Sequence, residues 1–188
     1  NFFLTKKSEA SSIYKPNLEL LQNFPRSERF DLLKKFKISC NTLDYWMQNE
    51  RINDVDFIKL DTQGSELDIL LGSKNALRGA IGVEVEVEFC EMYKNQHLFA
   101  DVDQFLRGEG FSLFDIARSY WKRSKGFNLG SKKGQIISGD ALYFKNNDSI
   151  LESYENCNDK NKAKILKSIS IILLYGFADY AFELYDKS

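Results

Sequence analysis

Histidine is almost absent from this 188-residue chain, His97 being the single copy. A Ser–His–Asp triad and a histidine-rich zinc site therefore have little to build on. Cysteine is scarce too. Cys40, Cys90 and Cys157 are widely spaced without a C-x-x-C pair, which reads as reduced thiols in a cytoplasmic protein rather than a disulfide framework. Excess charge is also missing: 26 basic and 27 acidic residues leave a formal net charge of −1. That balance argues against a dedicated nucleic-acid binder. The longest apolar run, Ile169 to Tyr175, is interrupted by Ser170 and falls far short of the ~20 residues that a membrane span needs. No segment has the form of a signal peptide. Neither G-x-x-x-x-G-K-S/T nor G-x-S-x-G occurs, which removes a P-loop nucleotide site and a nucleophile elbow.

What is present is aromatic bulk and one well-patterned stretch. Phe and Tyr are plentiful and supply large apolar bodies for a core. The length allows one domain, or one domain with an appendage, without disulfide or metal staples. The stretch is Asp56 to Gly72, DFIKLDTQGSELDILLG. Phe57, Ile58 and Leu60 suit a parallel strand buried on both faces. Gly64 permits a tight turn, and Glu66 would stand in the first turn of a helix, where the dipole favours a carboxylate. Leu67, Leu70 and Leu71 then make one apolar stripe. Asp61 is thereby placed at the carboxyl end of a strand, the edge where open α/β sheets hold ligands.

Around this unit the chain predicts a short strand over Asn1–Thr5, a loop over Lys6–Asn17, a helical turn over Leu18–Phe24 and a weak helix over Arg26–Lys37. A strand through Phe36, Ile38 and Cys40 follows, then a helix capped by Thr42 with Leu43, Trp46 and Met47 on one face. Downstream come a strand over Ile81–Phe89, a helix whose Asp101 and Gln104 resemble a capping box, and a strand over Phe111–Ile116. A polar loop over residues 118–138 leads to a strand over Gly139–Lys145. The strand–helix rhythm from 55 to 116 indicates parallel βαβ units, and the last two strands, joined without a helix, should pair antiparallel. Beyond Asn147 the pattern changes to an αα-hairpin: a helix from Asp159 to Tyr175, Gly176, then a stripe of Phe177, Tyr180, Ala181, Leu184 and Tyr185. It reads as a packing or oligomer surface.

Three groups of residues could carry chemistry. Asp61 and Glu66 flank the DTQG turn; a carboxylate there could orient a hydroxyl or act as a general base, or Asp61 could simply bond the free N–H groups of the next helix. Val83-Glu84-Val85-Glu86-Val87-Glu88 puts three glutamates on one strand face and three valines on the other. Either the glutamate face is wet, or its carboxyl end, at Glu86 and Glu88, lines a polar site beside Asp61. Last, Arg118, Lys122, Arg123, Lys125, Lys132 and Lys133, interleaved with Tyr120, Trp121 and Phe127 and no acid, could meet a phosphate or sugar-phosphate, or could be a solvated hairpin loop.

The residues Asp56 through Leu67, with Leu70 and Gly72, resemble the signature of the FkbM-type S-adenosylmethionine-dependent methyltransferases, a pattern close to dfiKiDvEGaElevLkG. The resemblance continues through Glu86-Val87-Glu88-Phe89, Tyr93, Phe99, Val102, Phe105-Leu106, Gly110-Phe111 and Leu113-Phe114-Asp115. Upstream, Ser11-Ser12, Pro16-Asn17 and Thr42-Leu43-Asp44 also fit, so that residues 2 to 145 are covered. The resemblance implies an α/β, Rossmann-like class I methyltransferase sheet, with a C-terminal α-helical hairpin outside it. It implies O-methylation of a small-molecule or glycan hydroxyl, on a sugar or secondary metabolite, with S-adenosylmethionine as cofactor. Asp61 and Glu86 would be catalytic, and Asp61, Gly64 and Glu66 would face the cofactor.

The family's glycine-rich D-x-G-x-x-x-G turn is not in this sequence. The expectation is an N-terminally truncated domain over residues 1–147 that lacks its first strands, followed by a helical tail over 148–188. Such a half-sheet would bind the cofactor poorly and self-associate into a homo-oligomer through its open edge. Two alternatives stand beside it: a non-catalytic interaction module on the same core, and a metal-dependent transferase using Asp61, Glu66 and Glu86.

Overall fold

A computed structural model of the chain describes residues 1–152 and 159–188. Cys157 lies outside the described residues, as does the side chain of Asp159. Cys40 and Cys90 carry free thiols.

Phe2–Thr5 (β1) and Leu32–Phe36 (β2) pair antiparallel as a two-stranded sheet of their own. Between them run two 3-10 turns, Ser8–Ala10 and Ser27–Phe30, and a one-turn helix, Leu18–Leu21 (α1). The weak helix expected over Arg26–Lys37 and the strand expected through Phe36, Ile38 and Cys40 are both corrected here. Every residue of β2 is exposed, so it has no buried face and no alternation to read. It is held by its ladder to β1 and by the Phe2–Phe36 ring contact at 5.5 Å.

Leu43–Asn49 (α2) begins where the sequence places it, with the Thr42 hydroxyl accepting from the Tyr45 N–H at 3.1 Å. Met47 is buried and Leu43 packs against the core, but Trp46 remains exposed. The main sheet then forms from Phe57–Leu60 (β3), Gly82–Glu88 (β4), Phe111–Trp121 (β5) and Gln135–Lys145 (β6), in the order β3-β4-β6-β5. β3 and β4 are parallel, whereas β6 lies antiparallel to both β4 and β5. The expected antiparallel pairing of the last two strands is thus observed. β5 extends to Trp121 and β6 begins at Gln135, so the connecting loop is shorter than 118–138.

The crossover from β3 to β4 is two short helices, Glu66–Leu71 (α3) and Lys74–Gly79 (α4), rather than one. Asp44 caps α4 from outside, its carboxylate accepting from the Asn75 and Ala76 N–H groups. From β4 the chain crosses to β5 through Phe99–Gly108 (α5). Asp101 does not open that helix as expected: it sits in the first turn and accepts from the Leu98 N–H at 2.9 Å, the reverse half of a capping box.

One face of the sheet carries Ile58, Val83, Val85, Val87, Ala141 and Tyr143, packed under α2 to α5 with Leu67, Leu70, Leu77 and Leu106. Leu71, expected in that stripe, is 48% exposed. Nor is β3 buried on both faces: it is an edge strand with Ile58 buried and Lys59 exposed.

The other face meets the C-terminal helices Asn147–Glu152 (α6), Asp159–Leu174 (α7) and Ala178–Lys187 (α8). α7 and α8 pack on each other, and Ile150, Ile172, Ala181 and Leu184 share a core with Ile81, Leu142 and Phe144. Gly82 makes room for this layer, because a Cβ there would lie 2.7 Å from both the Phe57 and the Phe144 ring. Polar contacts pin α7 to the β3 edge. The buried Lys164 ammonium lies 2.6 Å from Asp54 and 2.5 Å from Asp56, and Lys167 adds a 2.9 Å contact to Asp56. Burial opposes charge on Asp56, but the two lysines outweigh it and hold its carboxyl below the usual range. Among the described residues no helix is long and apolar enough to cross a membrane.

Candidate active site

The parallel register of β3 and β4 sets the site. Leu60 lies beside Val85, so the residues that follow, Asp61 and Glu86, emerge together at the carboxyl ends of the two strands. Asp61 is exposed at the mouth, whereas Glu86 is half-buried and Glu88, further along, is only 3% exposed. The glutamate face is therefore not wet at this end. Near the other end of β4, Glu84 is taken up by Lys59 and by the Tyr175 hydroxyl.

Gln63 ties the two acids together. Its amide nitrogen donates to Asp61 Oδ1 at 2.9 Å and to Glu86 Oε2 at 2.7 Å, using both of its hydrogens. Its amide oxygen lies 3.0 Å from the Tyr93 hydroxyl, which lies equally close to the Ala10 carbonyl and can donate to one of them at a time. The backbone is bent to suit. Gln63 takes φ 58° and Gly64 φ 97°, and the Ser12 hydroxyl donates to the Gln63 carbonyl at 2.7 Å. Gly64 belongs here because residues with a side chain rarely adopt its conformation. Asp61 does not bond the N–H groups of α3. Glu66 takes that part of the turn: buried at the start of α3, its Oε1 accepts from the Thr62 N–H at 2.7 Å and hydroxyl at 3.0 Å.

Burial dominates the electrostatics. It pushes the Glu86 carboxyl up to about 8, helped by the neighbouring charge of Asp61 and then of Glu66 and Asp140. Glu88 is pushed up to about 9 by burial and by the charges of Glu66, Glu86 and Asp61, with Gln96 working the other way. Glu66 is also raised by burial, against the hydrogen bonds that favour its ionised form. At neutral pH the cluster thus holds protons on Glu86 and Glu88, and either can donate as well as accept. The same burial and negative surroundings keep the Tyr93 phenol far above its ordinary value.

Beside Asp61 opens a cleft of about 900 Å³, in the range of small-molecule sites. Thr62 and Asp68 continue the wall beside Asp61 with a hydroxyl and a second carboxylate, and Asn41 and Tyr45 stand on the α2 side. Tyr14 donates to Asp68 at 2.5 Å; burial and that carboxylate push its phenol up to about 12. Among the described residues no group of three or more histidine, cysteine or acidic side chains is arranged to hold a metal ion.

Asp61, Gly64, Glu66 and Glu86, singled out in the sequence, thus converge on one turn and one strand end. Gln63 and Tyr93 complete it and were not foreseen. For Gln63 a signal existed, since the resembling pattern carries a glutamate where this chain has an amide; for Tyr93 none did beyond its place in that pattern.

The fold and site define a mixed α/β protein with acids at the carboxyl ends of two parallel strands. A model of the methyltransferase FkbM domain matches residues 3–113. The chain belongs to the FkbM methyltransferase family. The match runs from β1 into β5 and stops short of β6 and the helical tail. Membership implies use of S-adenosylmethionine. No curated protein and no solved structure matches the chain.

Proposed function

We propose that this chain carries the acceptor side of an O-methyltransferase active site, acting on a hydroxyl of a sugar or secondary metabolite. The observation that carries it is the Gln63 amide bridging Asp61 and Glu86 where two parallel strands end. An acceptor hydroxyl in the cleft donates to Asp61, the exposed member of the pair. Glu86 keeps its proton up to about pH 8, so the pair carries one negative charge at neutral pH instead of two in repulsion. Asp61 is then available to orient the hydroxyl and receive its proton.

The donor set fits the cationic end of S-adenosylmethionine: Asp61 and Asp68 on the cleft wall provide negative charge, and Tyr45 a ring. Gly64 and Glu66 hold the turn that presents Asp61. Bound there, the cofactor would supply an electrophilic methyl group. We place the transferase part in residues 1–147, as part of a Rossmann-like sheet, and a helical cover in 148–188. β3 is an edge strand of the sheet, which supports completion of the cofactor site by strands paired to that edge. A second copy of the chain is one source of such pairing.

Calorimetric titration of this chain alone should therefore give S-adenosylmethionine affinity no tighter than about 1 mM; micromolar binding would refute the half-site. The roles of the acids separate in variants. Asp61→Asn should lower labelled methyl transfer to a sugar panel by about 10²-fold or more. Glu86→Gln, which mimics the protonated form, should keep most of the activity at neutral pH. Full activity in Asp61→Asn ends the proposal.

A further inference from the structure

A second cavity, of about 560 Å³, lies where the turn between β5 and β6 folds against the segment between α1 and β2. The Ser124 N–H donates to the Asn23 carbonyl at 2.8 Å and closes the two segments on each other. Four cations line the cavity, Arg26, Arg29, Lys122 and Lys132, and no carboxylate does. Among the described residues none of the four enters an ion pair. A pocket walled by one sign of charge concentrates the opposite charge.

Arg29 is the anchor. Its guanidinium lies over the Trp121 ring at 4.6 Å and over the Phe30 ring at 4.8 Å, so its faces are used and its position is fixed. Its Nε is buried and has no hydrogen-bond partner. A guanidinium held by its faces with its Nε–H unmet suits a phosphate, whose oxygens accept from such donors. Arg26, at φ 61°, takes a backbone conformation uncommon for a residue with a side chain, next to the same opening. Trp121 and Phe127 add flat apolar surface for a ring, and Lys122 lies 5.7 Å from the Phe127 ring.

We propose that this cavity binds a phosphorylated ring compound, with the phosphate on Arg26, Arg29 and Lys132 and the ring against Trp121. The near-neutral chain and the small extent of this basic pocket favour a small ligand over a nucleic-acid strand, which needs an extended basic face. The phosphate could come on a sugar or on a nucleoside, and the site stands independently of the methyl-transfer reading.

Titration of the full chain with glucose 1-phosphate, uridine 5′-monophosphate, inorganic phosphate and methyl glucoside tests it. One of the two ring phosphates should bind at least about tenfold tighter than phosphate or the neutral sugar alone, and whichever does so names the source. Arg26→Ala with Lys132→Ala, both exposed and outside the core, should weaken that binding about tenfold or more. Lys34→Ala with Lys35→Ala on β2 should leave it unchanged. Equal affinity for inorganic phosphate, no binding by either ring compound, or equal loss in the β2 variant each overturns the proposal.

Discussion

Stability should fall as pH rises from about 5 to about 9, and replacing Glu86 and Glu88 with glutamine should flatten that fall. In the folded chain Glu86 and Glu88 hold their protons up to about 8 and about 9, whereas the ordinary glutamate value is 4.5. Between those limits the folded state binds more protons than the unfolded state, so stability decreases with pH. The contribution is fully present below the ordinary value and is lost as pH passes the folded values. Asp56, with its lowered carboxyl, slopes the other way, but only in the acid range below its ordinary value of 3.8. One pKa unit corresponds to about 1.4 kcal/mol. Part of shifts this size is already a large share of the ~5–15 kcal/mol that holds a domain together. Glutamine copies the shape of a protonated glutamate and cannot ionise, so the double variant should be the more stable protein at about pH 8.5. Urea midpoints across the range read this directly. A wild-type profile that is flat or rises with pH, or a double variant as steep as wild type, would show that these glutamates are not held neutral.

The second large effect concerns Phe144. Its ring is fully buried and meets those of Phe57, Phe114, Tyr175, Phe177 and Tyr180 at centroid distances from 5.1 to 6.5 Å. It therefore joins β3, β5, the turn between the last two helices and α8 through one side chain. Phe144→Ala should cost about 3–5 kcal/mol, the usual loss when a buried aromatic leaves a cavity. Faster amide exchange should follow in α7 and α8, with that in α5 less affected. A loss below about 1 kcal/mol, or exchange raised evenly everywhere, would mean that the helices are not fastened through this ring.

Much of the site was legible because the β3–turn–α3 unit obeys strong local rules. Its apolar run, Gly64 and the leucine spacing after Glu66 fixed a strand, a turn and a helix in order. Glu86 was also legible from the alternation of valine and glutamate along β4. What sequence could not supply was register. Only the pairing of Leu60 with Val85 brings Asp61 against Glu86 and lets Gln63, 23 residues before Glu86, reach both. Tyr93 joins from further still. β2 escaped for the opposite reason: exposed along its whole length, it leaves no mark of burial, and its partner β1 lies about 30 residues earlier. The basic loop kept two meanings in sequence, because Arg29, its stacking partner across the cavity, lies far upstream.

The helical cover also bears on the order in which the chain can assemble. Strands β3 to β6 are all synthesised before α7 and α8, yet Phe57, Ile81, Leu142 and Phe144 are covered only when Ile172, Ala181 and Leu184 arrive. During synthesis the sheet must wait with an aromatic face open, a state prone to wrong association. Lys164 then reaches back more than 100 residues to Asp54. A contact of that span closes late and slows folding. Chaperone demand in this protein should therefore be greatest after β6 has been made and before α8 has docked.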